Sequence, residues 1–152
     1  MKTSEIISLT QRYVMNTYAR LPMAPVKGRG AWLWDADGKK YLDFFSGLAV
    51  TNLGHGHPRI LHAISRQARD LLHVSNLFFI DHQAELAELL VKHSFADKVF
   101  FCNSGAEANE GAVKLARKYA KKSLGPDRYE VITMRNSFHG RTLAMISATG
   151  QE

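Results

Sequence analysis

Cysteine is almost missing from this chain: its 152 residues include one, Cys102. A lone thiol excludes an internal disulfide and fits a reducing compartment. It sits within the apolar run Val99–Cys102, where a free thiol is expected to behave as a small buried hydrophobe, and no base stands at recognisable spacing to activate it. Long hydrophobic runs are missing too. None approaches the ~20 residues needed to span a bilayer, so no membrane association is expected. Met1–Glu5 leads into a polar, helix-like stretch without the apolar core of a secretory signal. A cytoplasmic protein is the resulting expectation. Zinc-finger spacing, internal repeats and low-complexity segments are also lacking.

Against these absences stand 45% hydrophobic and 22% charged residues, the balance of a folded globular chain rather than a disordered one. The net charge of +6 raises the question of nucleic acid. The densest basic cluster, Lys114, Arg117, Lys118, Lys121 and Lys122, shares a helical segment with Ala112, Val113, Ala116 and Ala120 on its other side. That is the solvated face of an amphipathic helix with cations toward its C-terminal end, so no nucleic-acid partner is expected. His55 and His57 alternate along a Gly-rich loop and His62 follows in the next helix. No Cys or carboxylate completes a ligand set at metal spacing, so no metal is expected.

Helical and extended signals alternate along the chain. Ser4 is expected to cap a helix with Ile6, Ile7, Leu9, Tyr13 and Val14 on its apolar face. Pro22 and Pro25 enforce an extended segment. Ala31–Trp34 and Lys40–Phe44 read as hairpin strands around the Asp35-Ala36-Asp37-Gly38 turn. Pro58 suits the first position of a helix, and Asp81 the cap of another. Strands over Val99–Cys102 and Tyr129–Met134 flank a helix over Glu107–Lys121, which predicts an α/β fold with a parallel sheet.

The most informative stretch is Phe100-Phe101-Cys102-Asn103-Ser104-Gly105-Ala106-Glu107-Ala108-Asn109-Glu110. An apolar strand enters a tight turn that opens a helix, bringing free backbone N–H groups and the positive end of a helix dipole to one spot. Ser104 and Glu107 have capping-box spacing. Asn136–Arg141 follows the second strand, so both segments are expected at carboxyl ends of strands, where open α/β sheets bind ligands.

Asn103–Glu110 resembles the phosphate cup of class III (ornithine-type) pyridoxal-phosphate aminotransferases. Pro25–Gly30 through Trp34-Asp35, Gly54–Pro58 and Asn136–Thr142 resemble the same family in the same order. Four ordered motifs are far more specific than one. The resemblance implies a fold type I transferase. Residues 1–57 would contribute to its small domain, and 58–152 would begin the large cofactor domain with its mixed, mostly parallel sheet. It implies pyridoxal 5'-phosphate as cofactor, with Gly105 and Ala106 giving amides to the phosphate and Ser104 a hydroxyl, for which capping competes. Phe138 would stack on the pyridine ring, and Arg141 would hold the carboxylate distal to the reacting amine. Tyr18 would contact the same end of the substrate.

The wording is nearest to family members that move the side-chain amine of N-acetylornithine to 2-oxoglutarate, releasing glutamate, in arginine biosynthesis. Ornithine, succinylornithine and 4-aminobutyrate are the alternative donors, and a non-catalytic phosphate-binding or partner chain is the alternative role. The family implies a homodimer. Its Schiff-base lysine and the acidic partner of the pyridine nitrogen are expected beyond Glu152, since no lysine here sits in such a motif. No catalytic lysine is therefore assigned, and inactivity of this stretch alone is expected.

Overall fold

The computed structural model describes residues 1–151. The chain divides into two compact units, Met1–Leu77 and the chain from Phe78 onward.

The first unit opens with α1 (Thr3–Tyr13). Lys2, not Ser4, occupies the cap position, because the Glu5 carboxylate reaches back to accept the Lys2 N–H at 2.8 Å and starts the helix earlier. A three-stranded antiparallel sheet follows in the order β1 (Pro25–Arg29), β2 (Trp32–Asp35) and β3 (Lys40–Leu42). The expected hairpin is present, with Trp32 opposite Leu42, Leu33 opposite Tyr41 and Trp34 opposite Lys40. Buried Asp35 organises its turn: Oδ1 accepts from Asp37 N (3.0 Å) and Lys39 N (2.8 Å), and Oδ2 from Tyr41 Oη (2.7 Å).

Beyond β3 lies an element the sequence pattern does not announce. The single turn α2 (Ser46–Ala49) is left-handed throughout, with φ of 51° at Ser46, 58° at Gly47, 61° at Leu48 and 64° at Ala49. Such angles cost a non-glycine residue roughly 1–2 kcal/mol each. Asp43 offsets that strain: Oδ1 accepts from Phe45 N and Ser46 N, both at 2.9 Å, and Oδ2 lies 2.7 Å from His55 Nε2. His55 is itself fixed by paired backbone bonds with Gly30. It packs so closely on Gly28 that a Cβ there would lie 2.5 Å from its ring. α3 (Pro58–Asp70) then starts on Pro58 as expected.

The second unit contains α4 (Asp81–Lys92), α5 (Gly105–Ser123) and α6 (Leu143–Ala148). Ile80 holds the cap position of α4, while Asp81 is the first helical residue and its carboxylate accepts the His82 N–H (2.7 Å). α5 begins two residues before the expected Glu107 and is capped by Ser104 as expected. α6, capped by Thr142, is short enough to escape periodicity. Val99–Cys102 and Tyr129–Met134 form no ladder among the described residues, so neither is a regular strand there. A strand needs a partner for its N–H and C=O groups, and these two segments have none within the described chain. Cys102, expected to be buried, is exposed for the same reason.

Apolar burial is sparse. Ala24 and Met145 are the only buried hydrophobic side chains among the described residues, whereas Phe44, Phe79, Phe95, Ile132 and Leu143 are almost fully exposed. The accessible surface is 13742 Å² for a 17.1 kDa chain. No helix of the described residues is long and apolar enough to cross a membrane.

Candidate functional site

The second unit carries the site at the start of α5. Ser104 is extended (φ −151°, ψ 161°) and its Oγ accepts the Glu107 N–H at 3.2 Å, while its carbonyl accepts from Ala108 N at 3.0 Å. The Glu107 carboxylate reaches back one residue further than a capping box requires, to Asn103 N at 2.6 Å. The two remaining first-turn amides, of Gly105 and Ala106, stand outside the helix's own ladder. Gly105 has open space where a side chain would be, with no heavy atom within 4 Å of a Cβ built there. Both residues border a recess at the positive end of a 19-residue helix.

A second element comes up against this turn. The loop Asn136–Thr142 is folded back by bonds from Asn136 N to Gly150 O (2.8 Å) and from Gly150 N to Ser137 O (3.1 Å). The His139 N–H donates to Thr149 Oγ1 at 3.0 Å. Gly140, buried and at φ 136°, lies flat on α5, where a Cβ would fall 2.7 Å from the Ala106 Cβ. Only glycine combines that angle with that approach.

Together the two elements enclose a recess of about 370 Å³ lined by Gly105, Ala106, Asn109, Phe138, His139, Gly140 and Arg141. The Phe138 ring is half exposed, and the Arg141 guanidinium lies 5.3 Å from its centroid, within cation–π reach. His139 Nε2 is buried and has no hydrogen-bond partner among the described residues. An anion would meet two free amides here, an aromatic face would border it, and a fixed cation would stand at the opening.

Of the six residues singled out from sequence, Gly105, Ala106, Phe138 and Arg141 line this one recess, and Ser104 caps the helix beneath it. Tyr18 belongs to the first unit, where it borders a groove of about 640 Å³ between α1 and the Asn16–Val26 segment. The motif reading leaves Asn109, Glu110 and Gly140 without roles, although Asn109 follows Gly105, and Glu110 follows Ala106, by four residues, and such pairs share a helix face. Among the described residues no group of three His, Cys, Asp or Glu side chains is placed to hold a metal ion.

The family model for class III aminotransferases matches residues 13–152. The chain is 54% identical over 147 residues to the acetylornithine aminotransferase of Caldanaerobacter subterraneus, covering 97% of this chain and 37% of that protein. It is 51% identical over 152 residues to the one of Methanothermobacter thermautotrophicus, covering 100% and 37%. The solved ornithine aminotransferase of Toxoplasma gondii superimposes with a TM-score of 0.93 at 33% identity, covering 99% of this chain and 36% of that one. The acetylornithine aminotransferase of Elizabethkingia anophelis gives 0.77 at 38% identity, covering 82% and 33%. The chain thus spans little more than a third of the length of the curated relatives it matches.

Proposed function

The chain belongs to the class III aminotransferase family, and from that premise we propose that it supplies the phosphate, ring and carboxylate contacts of a pyridoxal 5'-phosphate-dependent aminotransferase. The observation that carries this reading is the single recess in which the Gly105-Ala106 amides, the Phe138 ring and Arg141 converge. The residues fit the cofactor: two uncommitted amides and an open glycine suit a phosphate, and a half-exposed aromatic face suits a planar heterocycle.

When bound, the cofactor supplies an electron sink for the carbon that loses its proton. This chain's residues do the holding. Gly105 and Ala106 donate their N–H groups to the phosphate. Ser104, whose oxygen already accepts from Glu107, keeps its hydroxyl proton to donate there as well. Phe138 keeps the ring flat without engaging its reactive carbon. Arg141 offers a two-pronged fork to the carboxylate remote from the reacting amine, and Tyr18 contacts the same end. N-acetylornithine is the amino donor favoured by the relatives at 50–57% identity, which are named acetylornithine aminotransferases. The acceptor is 2-oxoglutarate, released as glutamate, and the pathway served is arginine biosynthesis.

In this reading residues 1–57 contribute to the small domain and 58–152 begin the large one. The working enzyme is a cytoplasmic homodimer, with its Schiff-base lysine supplied by sequence beyond this stretch. The test is turnover by the complete gene product loaded with pyridoxal phosphate. N-acetylornithine with 2-oxoglutarate should yield glutamate faster than ornithine, succinylornithine or 4-aminobutyrate does. Arg141→Ala should raise the donor KM on the order of a hundredfold, the effect of losing a bidentate charged contact. Faster turnover of another donor would overturn the donor assignment. Failure to bind the cofactor would leave the phosphate-binding or partner role instead.

A further inference from the structure

Two side chains on the second turn of α5 grip the loop that carries Phe138 and Arg141. Asn109 Nδ2 donates to the His139 carbonyl at 2.8 Å, and Thr142 Oγ1 donates to Glu110 Oε1 at 2.6 Å. The two bonds fall on either side of Gly140, which rests on Ala106 between them. Asn109 lies one turn above Gly105, and Glu110 one turn above Ala106, so the gripping side chains rise from the face whose first turn offers the free amides. Phe138 immediately precedes this gripped stretch in sequence, and Arg141 lies within it. Asn109 also lines the recess and is half-buried, where competition with water for its hydrogen bond is reduced.

We propose that Asn109 and Glu110 are positioning residues for transamination. They clasp the 138–142 loop to α5, which fixes the distance from the phosphate amides to the ring-stacking aromatic and to the carboxylate-binding arginine. The inference rests on the cofactor reading above. The clasp is a matter of donors and acceptors, not bulk. Asn109→Asp keeps the shape but turns a carboxylate oxygen toward the His139 carbonyl, so the contact becomes repulsive. Glu110→Gln keeps an acceptor for Thr142, and Glu110→Leu removes it. Both side chains are taken up by bonds to the loop, so the effect belongs in substrate affinity and cofactor pose rather than in the proton-transfer step.

The experiment uses the complete gene product loaded with pyridoxal phosphate and reads the KM for N-acetylornithine, kcat, and the visible circular dichroism of the bound cofactor. Asn109→Asp should raise KM about tenfold, the cost of one lost part-buried hydrogen bond, and Glu110→Leu, whose bond to Thr142 is exposed, by about threefold, each with a smaller change in kcat and a weakened dichroic band. Glu110→Gln should recover most of what Glu110→Leu loses. An unchanged KM and dichroic band in Asn109→Asp, or Glu110→Gln as damaged as Glu110→Leu, overturns the clasp. A wild-type protein that binds no pyridoxal phosphate overturns the cofactor reading itself, so the two failures are distinguishable.

Discussion

The two units organise themselves by different means. In the first, a few carboxylates satisfy polar groups close by in sequence: Asp35 accepts from backbone amides two and four residues on and from the Tyr41 hydroxyl six residues on, and Asp43 from amides two and three residues on. In the second, the apolar segments Val99–Cys102 and Tyr129–Met134 stand without ladder partners among the described residues. What order the second unit has comes from helix caps and from side chains bridging about thirty residues, from Asn109 to His139 and from Glu110 to Thr142. Local polar bonding can complete itself within a short span. A parallel strand cannot, because its neighbour arrives only after a crossover.

The largest test of this contrast is on residues 1–152 alone. With Ala24 and Met145 the only buried apolar side chains among the described residues, hydrophobic burial is too small to offset chain entropy. The expected result is no cooperative melting transition by calorimetry. Amide exchange should still show slower exchange in the β2–β3 hairpin than over Val99–Cys102. A sharp transition, or equal protection of the two segments, would erase the distinction between the units.

A smaller effect probes the long-range contact in the second unit. Gly140→Ala places a Cβ 2.7 Å from the Ala106 Cβ and 3.0 Å from its Cα, at a φ of 136°. Backbone strain and overpacking together should cost about 2–4 kcal/mol, read as weaker pyridoxal phosphate binding by the complete protein. Gly38 offers the control within the first unit, since its turn has nothing within 4 Å of a Cβ. Gly38→Ala bears only the strain of φ 84° and should leave cofactor affinity unchanged.

What could be read in advance divides along the same line. The hairpin, the Pro58 start and the Ser104 cap follow from spacing and turn chemistry within a few positions, and all three are present. The family's mixed α/β architecture follows from the ordered motifs and agrees with the solved relatives. The left-handed turn at Ser46–Ala49 was not legible, because Leu48 and Ala49 are poor residues for positive φ and the turn depends on the carboxylate of Asp43. The Asn109 and Glu110 bonds escaped for another reason. Helix spacing shows which side chains share a face, but not which distant loop lies against it. Ser4 and Asp81 were misplaced as caps by two residues and by one, where a carboxylate near the helix start shifted its first residue.

The smallest expected effect concerns pH and belongs to the first unit alone. The Tyr41 hydroxyl foremost, then the amides of Lys39 and Asp37 and the Lys39 ammonium, hold the Asp35 carboxyl below its ordinary range, against the opposing effect of burial. The His55 ring foremost, then the amides of Ser46 and Phe45, do the same for Asp43. The Asp35 carboxylate in turn raises the Tyr41 phenol. A depressed carboxyl stabilises the fold above its unfolded value of about 3.9, and the contribution disappears only as pH falls through the lower folded value. A raised phenol contributes below about 10 and loses that contribution as pH climbs through its higher folded value. Both turns should therefore survive at pH 5 and loosen below 3.9, and the hairpin should loosen again in strong alkali. Carboxyl carbon shifts of Asp35 and Asp43 that titrate below 3.9, with a Tyr41 absorbance midpoint above 10, would show the bonds at work. Midpoints at the ordinary values would mean that these carboxylates do not hold their turns, and the first unit would then lack the local device that sets it apart from the second.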